Sequence, residues 1–334
     1  MKIRNDFTNK NIAAVIIGRN EGQRLIDCLK SLIKSISIII YVDSGSTDNS
    51  VESARSLGVH VLPLDMTTPF TAARARNEGA DYLMQQYPTL EFIQFVDGDC
   101  EVQQHWIQNA EKFLTENSEY AVVCGRRRER FPERSVYNQL CDIEWDTPIG
   151  DALACGGDAL IRTDAFNQVD GYNGVLIAGE EPEMCFRLRL QGWKIRRIEE
   201  EMTLHDASMT KVGQWWNRAR RAGYAYASSY SLHGSTTEKF RRKELLSIIF
   251  WVLILPSAVL LLSLYKFVYI FLFLVYPIQI IRIAIKFYDK RLGFKLALFY
   301  GTSTVIAKWP QLLGILKFGM NKLSGKNGRL IEYK

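Results

Sequence analysis

The chain has 334 residues, a mild formal net charge of +6 and 47% apolar residues concentrated in its last third. That length allows one large domain or two smaller ones. The six cysteines (28, 100, 124, 141, 155, 185) are scattered with no C-x-x-C pair, which argues against a zinc site or a disulfide scaffold and fits a reducing cytoplasm. Met1 to Lys10 is polar and the apolar run that follows is short, so no secretory signal is expected. No internal repeat and no low-complexity tract interrupts the sequence.

Taken in order, Asn11 to Ile17 reads as a first buried strand, followed by the turn Gly18 to Gly22. Leu25, Ile26, Leu29, Leu32 and Ile33 recur at helical spacing. Ile36 to Val42 is a second strand with Asp43 at its end, and Ser44 to Ser50 is a turn dense in capping residues. A helix from about Asn49 to Leu57, stopped by Gly58, leads to a third strand at Val59 to Leu62. Strand, helix, strand, helix, strand predicts a parallel α/β sheet, in which ligands bind at the carboxyl ends of the strands. Thr71 opens a further helix rich in small residues (Ala72, Ala73, Ala75, Gly79, Ala80) and carrying Arg74 and Arg76.

Glu91 to Val96 is a short apolar strand that ends in Asp97-Gly98-Asp99. Residues two apart on extended backbone point the same way. Two such carboxylates are compatible with a divalent cation shared with a phosphate, or simply with an acidic turn after a strand. Asp43, Asp97 and Asp99 then lie at one edge of one sheet. Asp48, nearer the helix, is the better cap, which frees Asp43 to accept hydrogen bonds from a base or a ribose.

These stretches carry a resemblance. Asn20-Glu21, Val42-Asp43-Ser44-Gly45-Ser46-Thr47-Asp48, Ala75-Arg76-Asn77-Glu78-Gly79 and Val96-Asp97-Gly98-Asp99 resemble, in order and spacing, the nucleotide-sugar domain of glycosyltransferase family 2. The resemblance covers about residues 11 to 225. It implies a GT-A fold, Rossmann-like with a mostly parallel central sheet, that binds a nucleotide-diphosphate sugar with Mg²⁺ or Mn²⁺. On it, Asp43 contacts the nucleoside, Asp97 the ribose or sugar, and Asp99 the metal, with Asn20, Glu21 and Arg76 also on the nucleotide sugar. Gly18 departs from a position where many members have Pro or Thr.

Glu119 to Gly125 reads as another strand, followed by five arginines in nine residues (126, 127, 128, 130, 134), compatible with holding a phosphate-bearing acceptor or the donor pyrophosphate but read first as a charged loop. No aromatic residues interleave with them, which argues against nucleic acid. Gly156-Gly157-Asp158 is a turn into a strand. Gly179-Glu180-Glu181-Pro182 opens a helix whose acidic start suits the dipole. The block is similar to the family's acceptor motif, usually Gly-Glu-Asp before a helix carrying Arg-Leu. By register the family's aspartate falls on Glu181, implied as the catalytic base, with Glu180 the alternative; Arg187 matches the family arginine. His205 lies where GT-A enzymes often place a histidine on the metal or diphosphate. The basic aromatic helix Gln214 to Tyr224 carries Arg218 and Arg221, implied near the diphosphate or acceptor, and only loosely resembles the Gln-x-x-Arg-Trp motif of processive synthases. The same helix also reads as an interfacial one with no catalytic part.

Leu245 to Leu264 is 20 residues without a charge, and Phe267 to Ile281 adds 15, with the apolar pattern continuing to Ile285. These predict a transmembrane hairpin (about 245–264 and 267–285) kinked at Pro256. Basic residues on both flanks put both ends in the cytoplasm. About 294–318 is expected as an interfacial or re-entrant helix, with a third span as the alternative. The domain expectation is residues 1–235 as the GT-A domain (11–100 the nucleotide-sugar half, 101–235 the acceptor half) and 236–334 as the membrane region. The expected function is an inverting transfer to a hydroxyl acceptor, lipid-linked or glycan, at the inner face of the cell membrane and in contact with its lipid. The rivals are a polyprenyl-phosphate sugar transferase, a nucleotidyltransferase and a catalytically silent scaffold.

Overall fold

The computed structural model describes residues 11–288 and 293–325. These form two compact units, one built from the residues up to Arg134 with Cys141–Ser208, the other from Ser135–Leu140 with Met209 onward. The long basic helix that follows Ser208 packs with the C-terminal helices of the second unit.

The first unit opens with β1 (Ile12–Gly18), α1 (Gln23–Leu32), β2 (Ile38–Asp43), α2 (Ser50–Ser56), β3 (His60–Pro63), α3 (Ala72–Gln86) and β4 (Phe92–Asp97). Strands β1 and β2 are apolar and buried along nearly their whole length, as a sheet covered on both faces requires. Helix α3 is capped by Thr71, whose hydroxyl accepts the Arg74 N–H at 3.1 Å. Gly79 lets that helix lie against the sheet: a Cβ there would stand 2.6 Å from Val15 and 2.9 Å from Val42.

There follow β5 (Cys100–Val102), α4 (Trp106–Glu116), β6 (Tyr120–Glu129), α5 (Val136–Trp145), β7 (Gly150–Asp151), β8 (Ala159–Arg162), α6 (Thr163–Gln168), α7 (Glu180–Leu190) and β9 (Lys194–His205). The sheet has nine strands in the order β3-β2-β1-β4-β8-β6-β9-β5, with β7 on β9. The expected parallel pairing holds for β3-β2-β1-β4; β8 then runs antiparallel to both β4 and β6, so the sheet as a whole is mixed. The run of arginines expected as a loop is strand instead: β6 continues through Arg126, Arg127 and Arg128, paired with β9 across two register shifts.

The second unit, described by itself, is helical: α8 (Val212–His233), α9 (Arg242–Ile249), α10 (Leu255–Tyr265), α11 (Val275–Tyr288), α12 (Phe294–Ile306) and α13 (Lys308–Leu323). Continuous helical backbone runs over Arg242–Tyr265 and Phe267–Tyr288, of 24 and 22 residues, each long and apolar enough to cross a membrane. A wide π-type turn at Phe250–Ile254 precedes Pro256, where the missing N–H disturbs the helical ladder. The stretch expected as one helix over 294–318 is two, broken at Ala307, with Pro310 in the first turn of α13. Helices α8 and α13 meet backbone to backbone at Gly223 and Gly314.

Gly125 on β6 fixes how closely β9 and α4 approach that strand. A Cβ there would lie 2.5 Å from the Glu200 carbonyl and 2.7 Å from the Trp106 ring, whose indole N–H donates to Gln94 in the core at 2.9 Å. Gly125→Ala is therefore expected to destabilise the unit by about 1–3 kcal/mol through overpacking, read as a lower midpoint in thermal unfolding of the purified protein.

Candidate active site

The carboxyl ends of β2, β1 and β4 lie side by side, Asp43 opposite Gly18 and Asp97 opposite Ile17. Two strand spacings separate Asp43 from Asp97 by about 10 Å. Asp43 is buried, and its carboxylate accepts the Tyr41 hydroxyl at 3.0 Å and the N–H groups of Gly45 and Ser46 at 3.1 and 3.0 Å. It therefore also shapes its own loop, while Asp48 accepts the Ser50 N–H at 3.0 Å at the start of α2. Asn20, at φ +56°, joins this loop to the turn after β1: its N–H donates to Ser46 Oγ at 2.9 Å and its Oδ1 accepts the Thr47 N–H at 2.7 Å. Glu21 pairs with Arg24 at 2.7 Å, its side chain beside Gly98.

The centre of the site is the Arg76 guanidinium, 3% exposed. Its Nη2 donates to Asp97 Oδ1 at 2.7 Å and its Nη1 to Glu180 Oε1 at 2.9 Å. A helix of the first half, the end of β4 and the start of α7 thus converge on one cation. Burial alone would raise the Asp97 pKa; Arg76 and Arg127 outweigh it and hold the carboxyl down at about 2.

Asp158, fully buried, accepts the Asp97 N–H at 3.1 Å and the Thr203 hydroxyl at 2.8 Å and forms an ion pair with Arg127 at 2.6 Å. Arg127 also stands 3.8 Å from Asp97. Gly157 is needed beside them, since a Cβ there would lie 2.7 Å from Asp97 Oδ2 and 3.0 Å from Arg76. In the sequence Arg127 is one of a run of arginines, Gly157 and Asp158 belong to a turn, and none of the three is assigned to the site by itself. Asp158 had a signal, an acid after two glycines at the mouth of an apolar strand. Arg127 had none that separated it from its neighbours, because the register shifts in β6 break the alternation that would show which arginine turns inward.

The adjacent glutamates of α7 have different fates. Glu180 is buried on Arg76. Glu181 is half-buried, and burial first, then the negative charge of Glu180, pushes its pKa up to about 7, against the pull of Arg76. Arg187, the match to the family arginine, is occupied structurally: it pairs with Glu183 one turn away at 2.8 Å and donates to the carbonyls of Val169 and Gly171. Arg218 and Arg221 lie on α8, in the second unit.

His205, at the end of β9, faces Asp99 with Nε2 3.1 Å from Oδ2. Burial, followed by the nearby Arg127, lowers the histidine to about 4, so its imidazole is neutral at pH 7. Asp99, Cys100 and His205 offer ligand atoms within 4.8 Å of one another. Burial raises the Cys100 thiol well above its ordinary range, leaving it protonated and a poor ligand. The carboxylate suits Mn²⁺ or Mg²⁺, and the neutral imidazole beside it tilts the pair toward a transition ion such as Mn²⁺. Asp97, Cys100 and Asp158 also cluster, but Arg76 and Arg127 already answer both carboxylates. Asp97, Asp158 and Glu180 share the two guanidiniums of Arg76 and Arg127, whereas Asp99 faces His205.

Residues 13–167 match the model of glycosyl transferase family 2. Among solved structures, the chain is similar to the mannosyltransferase PcManGT from Pyrobaculum calidifontis in complex with GDP-Man and Mn²⁺, at 14% identity and a TM-score of 0.60, over 93% of this chain and 88% of that one. It is also similar to S. aureus TarS 1-349, at 14% identity and a TM-score of 0.49, over 90% of this chain and 91% of that one. Glucosyl-3-phosphoglycerate synthase from Mycobacterium tuberculosis, with Mn²⁺ and UDP-Glc, matches at 14% identity and a TM-score of 0.45, over 66% of this chain and 78% of that one. The sheet and these matches agree: the chain has the GT-A fold, and residues 13–167 are similar to glycosyl transferase family 2.

Proposed function

We propose that the protein moves a sugar from a nucleoside-diphosphate sugar to a hydroxyl acceptor, with inversion at the anomeric carbon. The observation that carries this reading is the unequal treatment of two neighbouring glutamates. Glu180 is consumed by Arg76, whereas Glu181 is poised near neutrality, where a general base is most effective. A phosphate acceptor would already be anionic and would need no such group.

The acceptor O–H gives its proton to the Glu181 carboxylate as its oxygen bonds to the anomeric carbon through an oxocarbenium-like state. The bond from that carbon to the diphosphate breaks, and the nucleoside diphosphate leaves with the electron pair. Asp43 and the loop tied by Asn20 hold the nucleoside. Arg76 fixes Asp97 toward the ribose or sugar and keeps Glu180 from competing as base. Asp99 and His205 would hold Mg²⁺ or Mn²⁺, which supplies positive charge to the departing diphosphate. PcManGT, the structure of similar fold with a nucleotide sugar and Mn²⁺, supports both the donor class and the ion.

The two long apolar helices support anchoring in a membrane, and the basic residues around them, Arg241, Arg242 and Lys243 before and Arg282 and Lys286 after, support a cytoplasmic catalytic domain. On that surface a lipid-linked acceptor meets the site without leaving the bilayer.

Nucleoside diphosphate release by the detergent-purified protein, with a panel of nucleotide sugars and lipid-linked acceptors, tests the reading. Glu181→Gln is expected to lower transfer by at least ~10²-fold while donor binding persists; normal transfer by this variant would favour a phosphate acceptor instead. Glu181 faces Glu180 on its own helix, Arg76 from α3, Asp97 from β4, Tyr172 and Cys155. It acts ionised and is protonated below its pKa. The rate should therefore climb with pH up to about 7 and then level; a flat profile from pH 5 to 8 would contradict it. Asp99→Asn should abolish stimulation by Mn²⁺ in the same assay, and unchanged stimulation would remove Asp99 from the ion.

A further inference from the structure

Trp145 ends α5 without joining the hydrophobic core of its unit. A half-buried indole outside the core needs another reason to be held in place. Its ring stacks on His205, with centroids 4.7 Å apart and planes 24° from parallel. The Arg127 guanidinium lies 5.6 Å from its ring centroid. Both neighbours belong to the site rather than to the packing beneath it.

The arginine-rich strand fixes where that indole sits. Asp142, one turn before Trp145, accepts the Glu129 N–H at 2.9 Å and Arg128 at 3.2 Å, and lies 3.8 Å from Arg126. Asp146, the next residue after Trp145, pairs with Arg126 and stands 3.8 Å from Arg197. Carboxylates on both sides of the tryptophan are thus pinned to β6 and β9, and β9 is the strand that carries His205.

An imidazole can rotate about its bond to Cβ, and Nε2 faces Asp99 only over part of that rotation. A stacked ring limits the rotation at the face, where a hydrogen-bond partner would limit it at the edge. Loss of a group that orients a ligating histidine typically costs about 10–100-fold in metal affinity. We infer that Trp145 is a positioning residue of the metal site: its indole holds the His205 ring so that Nε2 and the Asp99 carboxylate converge on one divalent cation, and the arginines of β6 act as the clamp that seats it. This rests on the reading of Asp99 and His205 as the ion's ligands.

The test is Mn²⁺ binding to the full-length, donor-free protein in detergent, followed by the electron paramagnetic resonance signal of the free ion. Thermal midpoints are recorded without metal. Trp145→Ala and Trp145→Leu, the latter retaining bulk without an aromatic face, are each expected to weaken Mn²⁺ binding by about 10–100-fold, and Trp145→Phe to stay close to wild type. The leucine variant separates loss of the stack from loss of the fold, since packing alone would move the midpoint and leave metal affinity in place. Wild-type affinity in both Trp145→Ala and Trp145→Leu overturns the inference, as does equal weakening in Trp145→Phe. If the wild type binds no Mn²⁺, or Asp99→Asn binds it equally well, the ligand assignment itself fails and the inference falls with it.

Discussion

A guanidinium buried to 3% exposure is costly to remove from water unless carboxylates meet it. Arg76 meets two, from parts of the chain 21 residues after it and 104 residues after it. That single cation ties the end of β4 to the start of α7 and so joins the parallel half of the sheet to the part that supplies Glu181. It also divides the chemistry. Asp97 is held ionised, Glu180 is paired with Arg76, and Glu181 is left close enough to feel the negative charge of its neighbour. The Asp158–Arg127 pair repeats the device on the other side of Asp97. Three carboxylates, Asp97, Asp158 and Glu180, thus share two guanidiniums.

Much of this was legible in the sequence because it depends on position along strands. Asp43, Asp97 and Asp99 follow buried apolar runs, and parallel topology brings such ends to one edge. Thr71, Gly79 and Gly58 announced their roles through caps, small size and left-handed backbone. The two glutamates after Gly179 were visible as a pair at a helix start. What separates them, the direction of one guanidinium, is a three-dimensional fact that no spacing encodes.

The parts that escaped the sequence share a cause. Polar residues within a strand look like a loop when alternation fails, and β6 carries its arginines across two register shifts. Arg127 therefore looked no different from Arg126 or Arg128, although one lines the site and the others grip Asp142 and Asp146. Trp145 was hidden for a related reason: it neither continues an apolar stripe nor stands in a motif, and its partner His205 is 60 residues away in sequence. Sheet direction beyond β4 was also unreadable, since β8 enters antiparallel after a long excursion. In the helical unit, composition announced two long apolar stretches but not the break at Ala307 nor the glycine contact between α8 and α13.

On the proposed function the acidic groups divide the labour: Arg76 and Arg127 pair with Asp97, Asp158 and Glu180, and Asp99 with His205 remains for the cation. Anomalous scattering at the manganese edge, from crystals of the protein grown with Mn²⁺ and a nucleoside diphosphate, tests it most directly. The account predicts a peak within bonding distance of Asp99 and His205 with Arg76 still bridging Asp97 and Glu180. A peak held between Asp97 and Asp158, with Arg76 or Arg127 displaced to make room, would contradict it.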